Sequence, residues 1–439
     1  MLLMLLMEEK WEGGFFMLNK RTRVVQILAI LISLISGLVV VGCAGSASQN
    51  GSPTTESSRT PIKIGVVVDL SGTGALLGSD EKKAAQLFTE EYNGREGVGS
   101  GPIELIVRDG KTSVSEAVSQ ARDLLYSENV DFIMTGADSQ YALAISDMAK
   151  QTKTIMFSNN SNNAYTMEAG HKYAFRVPNI VEMTQAYSAS KYAMEHFADK
   201  KRYYLIAHDY AFGRSVVDSF KKDMKELNPS VEFVGESYVK LTETDYNSYI
   251  TAILQSNPDV VFYAWMTGVP FYKQAAPYNL SQKMQMLSGY WGGVQDLMVL
   301  GKAEIPVGAV VGSYPWYGLK NKENQDFVAA FQNKYGEAPK PSAYYVYMSM
   351  QVITQGIAKA GTLDTDEVIR ALEGLNADTI VGKVAMRAFD HQGVVPYWLG
   401  TARWDEKLGT GVIDDIVEID TKPAMPTKQE IEQMRKNSE

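Results

Sequence analysis

Residues 62–93 read IKIGVVVDLSGTGALLGSDEKKAAQLFTEEYN. The first seven are almost all β-branched and apolar, which predicts a strand buried on both faces. From Ser79 to Asn93, the residues Ala84, Ala85, Leu87, Phe88 and Tyr92 fall on one side of a helix. A strand, a glycine-bearing loop and an amphipathic helix open a parallel α/β unit. The alternation continues with IELIVRD (103–109), a helix near 113–127, DFIMTG (131–136), a helix near 140–151 and TIMFS (154–158). A second series begins after Pro178: helix 181–197, strand 202–208, helix 212–227, strand 231–239, helix 245–255, strand 259–265, helix 268–277 and strand 284–289. Two such series predict an α/β protein of two doubly wound parallel-sheet lobes. Residues 305–420, with helices at 322–335, 342–360 and 366–373 and strands near 383–388, 397–404 and 411–418, are too few for a third lobe of this kind. They are expected to cross back and complete both lobes through a multi-strand hinge.

Size and charge agree. The chain has 439 residues, which suits two lobes of roughly 150 to 200 residues each. Hydrophobic residues are 45% and charged residues 21%, the balance of a folded soluble protein. The net charge of -9 argues against a nucleic-acid partner, which needs a basic face. One cysteine, Cys43, excludes an intramolecular disulfide framework and a CxxC zinc site, and the four scattered histidines form no HExxH. No metal and no cofactor is expected.

Residues 24–42, VVQILAILISLISGLVVVG, carry no charge and follow Lys20, Arg21 and Arg23. A basic stretch, an apolar run and small residues before a cleavage point describe a secretory signal over 1–42. The run is also long enough to span a bilayer, so an uncleaved anchor is the alternative. Val40-Val41-Gly42-Cys43-Ala44 resembles a bacterial lipobox, which implies that Cys43 is the lipidation site and that the protein is held at the membrane outside the cytoplasm. Residues 43–60, rich in Ser, Gly and Thr, read as a flexible tether. Export removes the chain from cytoplasmic ATP and NAD pools and weighs against most cofactor enzymes.

Two enzyme-like motifs need weighing. Gly72-x-Gly74-x-x-x-Gly78 stands between strand and helix, but its spacing is one residue off a dinucleotide fingerprint. Tyr187-Ser-Ala-Ser-Lys191 reproduces the YxxxK of short-chain dehydrogenases, and Asn162-Asn163-Ala164 resembles their NNA segment. With 24 tyrosines a chance YxxxK is expected about once, so Tyr187 and Lys191 are read as helix-surface residues. No GxSxG elbow or Walker loop occurs, and the chain is read as a non-enzyme.

The segments IGVVVDLSGTGALLGSD (64–80), VDFIMTGADSQYALAISDMA (130–149), AHDYAFGRSVVDSF (207–220) and SNPDVVFYAWMTGVPFYKQA (256–275), in this order, resemble the type I periplasmic binding proteins. The resemblance is to the branched-chain-amino-acid-binding branch of ABC-transporter receptors and covers about 61–420. It implies lobes built from 61–179 with 313–387 and from 180–312 with 388–420, followed by a loose polar tail, 421–439. It further implies three crossovers, a ligand enclosed between the lobes on hinge closure, and an ABC permease as membrane partner.

The resemblance also implies site residues. Ser139, at the start of a helix after strand 131–136, would receive a ligand carboxylate. Asn160 and Asn162, with Ser161 nearby, would hold the ligand head group. Tyr210 or Phe212, Trp265, Met266, Tyr290 and Trp291 would line the cleft from the second lobe. Gly72, Gly74, Leu76 and Leu77 would close it from the first. Amino-acid-binding relatives commonly carry an acid where this sequence has Trp291, so the amine side of the pocket departs from the pattern unless Asp138, Asp209 or an aromatic face compensates. The implied ligand is a hydrophobic or aromatic amino acid, or an aromatic acid lacking the amine. A ligand-sensing domain for a signalling partner is the alternative.

Overall fold

The computed structural model describes residues 60–72, 74–95, 101–136, 139–159, 165–178, 182–265, 267–290 and 292–438. The first series gives β1 (Ile62–Val68), α1 (Ala75–Asn93), β2 (Ile103–Asp109), α2 (Val114–Tyr126), β3 (Phe132–Thr135), α3 (Ser139–Thr152), β4 (Ile155–Ser158) and β5 (Ala174–Phe175). These strands form one parallel sheet in the order β2-β1-β3-β4-β5. Alternation along β1 sorts its side chains. Ile62, Ile64, Val66 and Val68 join one core with Phe88, while Val67 joins the opposite core with Leu124 and Ile145. Gly65 interrupts the β-branched run because α2 lies close there: a Cβ would stand 3.0 Å from a Leu124 methyl.

The second series gives α4 (Glu182–His196), β6 (Arg202–His208), α5 (Ala211–Leu227), β7 (Glu232–Val239), α6 (Asn247–Ser256), β8 (Val260–Ala264), α7 (Val269–Ala275), α8 (Leu280–Lys283), β9 (Gln285–Ser288), α9 (Gly293–Val299) and β10 (Val310–Gly312). Then follow α10 (Lys322–Tyr335), α11 (Pro341–Ala360), α12 (Thr365–Leu372), β11 (Asn376–Thr379), β12 (Gly382–Met386), β13 (Gly393–Val394), β14 (Tyr397–Asp405), β15 (Thr410–Ile419) and α13 (Lys428–Ser438). The second sheet runs β15-β14-β10-β9-β8-β6-β7. It is parallel from β10 to β7, but β14 and β15 form an antiparallel edge. Only four residues separate those two strands, and so short a connection permits no parallel crossover.

The chain passes between the two cores three times. Val177 lies in the first core and Ala186 in the second; Val311 in the second and Tyr314 in the first; Val395 in the first and Tyr397 in the second. Between the last two passages, α11 returns to cover the first sheet. Its Tyr347 hydroxyl donates to Glu91 of α1, its Ser349 Oγ donates to Asn159 Oδ1 (2.9 Å), and Lys340 just before it pairs with buried Asp80 (2.9 Å). Strands β11, β12 and β13 make a small antiparallel sheet, joined to the edge of the first sheet by a bridge between Arg176 and Gln392. Segment 388–394, expected with the second lobe, therefore stands against the first, and the crossing comes at Val395.

The C-terminal residues also differ from the expected loose tail. Thr421 is wholly buried and its hydroxyl donates to the carbonyl of Val395 (2.8 Å) at the third passage. Helix α13 lays Ile431 against Met167 and Met425, with Met183 of α4 and Met434 packed beside them. The Arg435 guanidinium donates to the carbonyls of Thr166 (3.0 Å) and Met167 (3.2 Å). Few apolar positions carry this packing, so hydrophobic periodicity is a weak guide to it. Ile431→Ala should cost about 2–4 kcal/mol in urea denaturation, the scale of a buried large-to-small change. A loss under about 0.5 kcal/mol would mean that α13 does not pack.

Candidate functional site

In parallel sheets, ligands gather at the carboxyl ends of the strands, where loops and helix N-termini converge. On the first lobe, the loop after β1 is fixed by two carboxylates. Asp109 at the end of β2 accepts from the backbone N–H of Leu70 (2.9 Å) and from the Ser71 hydroxyl (2.8 Å), and these bonds hold its carboxyl below the usual range against burial. Asp69 accepts from the Thr112 N–H (2.8 Å) and the Tyr141 hydroxyl (2.5 Å). Gly72 has φ +81, and a Cβ on Gly74 or Gly78 would overlap Asp69 itself. The three glycines thus close a loop around its own aspartate and do not form a phosphate cradle. Leu76 beyond this loop is exposed and Leu77 is half-buried. At the ends of β3 and β4, Thr135 and Ser158 hydroxyls meet at 3.0 Å, and Nδ2 of buried Asn159 has no acceptor among the described residues.

On the second lobe, α5 begins at the cleft end of β6. Tyr210 is its N-cap in extended conformation (φ -156), half-buried, with its ring 5.8 Å from that of buried Phe212. Asp209 is taken by Arg214 (2.7 Å). His208 meets the Tyr246 hydroxyl at 3.0 Å, and burial holds its imidazole down at about 4, so it is neutral at pH 7. Trp265 lies against His208 (5.0 Å) and Phe271 (5.1 Å) and is wholly buried, yet its Nε1–H has no acceptor among the described residues.

Asp296 of α9, which sequence reasoning missed, organises the remaining loops. Its Oδ2 accepts from the Gly268 N–H (2.6 Å) and from the Tyr290 hydroxyl, and its Oδ1 accepts from the Thr267 hydroxyl (2.9 Å). The readable signal was an acid inside the short apolar run GGVQDLMVL (292–300). Tyr290, expected to line the cleft, is wholly buried with its hydroxyl on Asp296.

Several expected site residues lie outside the described residues: Asn160, Ser161, Asn162, Met266 and Trp291, together with Asp138 and Cys43. Ser139 begins α3, and its side chain is not among those described. The YxxxK pair is not a dyad, since Lys191 pairs with Glu195 (3.0 Å) and Tyr187 packs on the second core. A cavity of about 970 Å³ lies elsewhere on the first lobe, beside Thr60 and the C-terminal turns of α1 and α11.

This geometry can be set beside known proteins. A family model described as periplasmic binding protein matches residues 61–407. The chain belongs to that family. Its two-lobed architecture is that of the type I periplasmic binding proteins. It is 24% identical over 321 residues to Leu/Ile/Val-binding protein homolog 1 of Brucella abortus (strain 2308), covering 72% of this chain and 83% of that relative. Its fold matches an amino acid ABC transporter substrate-binding protein from Pseudomonas fluorescens Pf-5 with TM-score 0.76 at 21% identity, over 85% of this chain and 98% of that one. It also matches an ABC-transporter solute binding protein from Rhodopseudomonas palustris BisB5 in complex with 3,4-dihydroxy benzoic acid, with TM-score 0.73 at 20% identity, over 82% and 98%. The binding protein is thus a two-lobed, extracytoplasmic solute-binding receptor.

Burial pushes the Asp296 carboxyl up to about 6, while the bonds from Tyr290, Gly268 and Thr267 pull it down. The folded binding protein therefore holds this proton more tightly than the unfolded chain does. Stability from this group is full below the unfolded value of 3.8 and is lost as pH rises through about 6. Asp296→Asn has no such term. The stability advantage of the natural protein over this variant should shrink by up to about 3 kcal/mol between pH 4 and pH 7, measured by denaturation at each pH. A gap independent of pH would show that Asp296 titrates normally.

Proposed function

We propose that this receptor captures a small hydrophobic or aromatic carboxylate by hinge closure and delivers it to an ABC permease, and that an amine on the ligand is not required. The observation that carries the ligand class is that four carboxylates at the strand ends, Asp69, Asp109, Asp209 and Asp296, are already engaged. Asp69 and Asp109 hold the first-lobe loop, Asp209 is paired with Arg214, and Asp296 accepts three hydrogen bonds. A ligand ammonium enclosed among them would lose water and gain little. Donors point the other way: Nδ2 of Asn159 and Nε1 of Trp265 are buried without acceptors among the described residues, and buried donors call for partners such as carboxylate or hydroxyl oxygens. The similar Rhodopseudomonas palustris protein was solved with an aromatic acid of this chemistry. Tyr210, beside the mouth of β6, supplies an aromatic face, and Ser139 at the N-terminus of α3 supplies a place for the carboxylate.

Capture follows from closure. Contacts made from both lobes stabilise the closed state only, and the permease then reads that state. Lipid attachment at Cys43 would keep the receptor beside its permease, with 43–60 as tether.

Isothermal titration of ligand-stripped protein should show benzoate or 4-hydroxybenzoate binding more tightly than phenylalanine or leucine. Tighter leucine binding would overturn the amine-free assignment, and binding of no small solute would overturn the receptor reading. Ser139→Ala should weaken the carboxylate ligand by about 2 kcal/mol, the scale of one hydrogen bond to a charged group; unchanged affinity would leave Ser139 as a helix cap only. Cys43→Ala should move the protein from the membrane fraction to the soluble fraction, and retention would favour an uncleaved anchor.

A further inference from the structure

The loops after β8 and β9 are the ones in which Met266 and Trp291 stand, and both are tied to Asp296. One oxygen takes the Gly268 N–H at 2.6 Å and the Tyr290 hydroxyl, the other the Thr267 hydroxyl at 2.9 Å. The chain of bonds does not end there. The backbone carbonyl of Tyr290 accepts from the hydroxyl of Tyr397 at 2.7 Å. Tyr397 is the first second-core residue after the third passage, since Val395 still belongs to the first core. The same hydroxyl lies against Gly312, where any Cβ would overlap it, and Gly312 immediately precedes the second passage at Ser313 and Tyr314. Tyr397 thus touches two of the three hinge passages and one cleft loop. Tyr263 and Tyr272 surround the Tyr290 ring and hydroxyl.

Packing alone does not ask for this chemistry. A fully buried carboxylate is expensive unless each oxygen is satisfied, and leucine or phenylalanine would fill the volume at lower cost. What a carboxylate supplies is direction: it holds three donors from two loops in one geometry. A tyrosine at 397 likewise adds to phenylalanine only a hydroxyl, and that hydroxyl reaches the neighbouring loop.

We propose that Asp296, Tyr290 and Tyr397 form a hydrogen-bonded relay of positioning residues that fixes the second-lobe cleft loops to the hinge, so that the ligand wall and the lobe angle are set together. The relay deepens the solute-binding reading and rests on it for its role in capture, but it has consequences in the ligand-free protein that do not. When the lobes rotate, the strand carrying Tyr397 turns with the hinge and the Tyr290 loop follows.

The test uses Tyr397→Phe, Asp296→Asn and the double variant. Hydrogen exchange on the ligand-free full chain should show faster exchange in the peptide covering 267–272 in Tyr397→Phe, although the substituted residue does not touch that segment. Affinity for 4-hydroxybenzoate should fall about fivefold in each single variant, the worth of about one buried hydrogen bond. The double variant should lose no more than the weaker single, because the two residues act through one path. Exchange at the natural rate over 267–272 in folded Tyr397→Phe would overturn the relay, and so would a double variant whose effect is the product of the singles. If the natural protein binds neither 4-hydroxybenzoate nor any other solute, the receptor reading fails, and the exchange measurement still decides the relay.

Discussion

The structure depends on burying both faces of two parallel sheets. A sheet whose strands are apolar on each side needs helices above and below it, and each lobe gathers its own. The result is separate cores that share no fully buried residue, joined by three passages of chain. Met298, Tyr317 and Ile416 pack against both of the larger cores beside those passages. Parallel connectivity then places the carboxyl ends of the strands, with their loops and helix N-termini, toward one edge of each sheet.

At those edges the polar groups serve geometry before they serve a ligand. Asp109 and Asp69 tighten one loop, Arg214 holds Asp209, and Asp296 gathers two loops. These four acids are satisfied by donors from their own lobe, which rigidifies the loops that carry them. Preorganisation of this kind lowers the ordering cost of binding.

Much of this was legible in the sequence. Strands β1 and β6 fall where the β-branched and aromatic runs placed them, because turn residues bound those runs sharply. Helix α1 starts at Ala75 and not at Ser79, since the loop closes on Asp69 sooner than the hydrophobic pattern begins. Strands β5, β11 and β13 have two to four residues, too few to show a period of two. The packing of α13 rests on a guanidinium reaching two carbonyls, and residue type alone does not reveal such a contact. Cleft residues were placed by resemblance and by strand ends. That reasoning finds which loop carries Tyr290, but the direction of its ring is set by Asp296, six residues further on.

The last helix has a chemical consequence for a protein that works outside the cytoplasm. Its contact surface on the hinge side is built largely from thioethers: Met167, Met183, Met425 and Met434 around Ile431. Thioethers pack well in irregular gaps, yet oxidation turns them into polar sulfoxides that no longer suit an apolar seam. Met183 belongs to the first turn of α4, within the first passage, and Met167 lies upstream of that passage. Oxidation of these thioethers would accordingly loosen the C-terminus at the flank of the hinge.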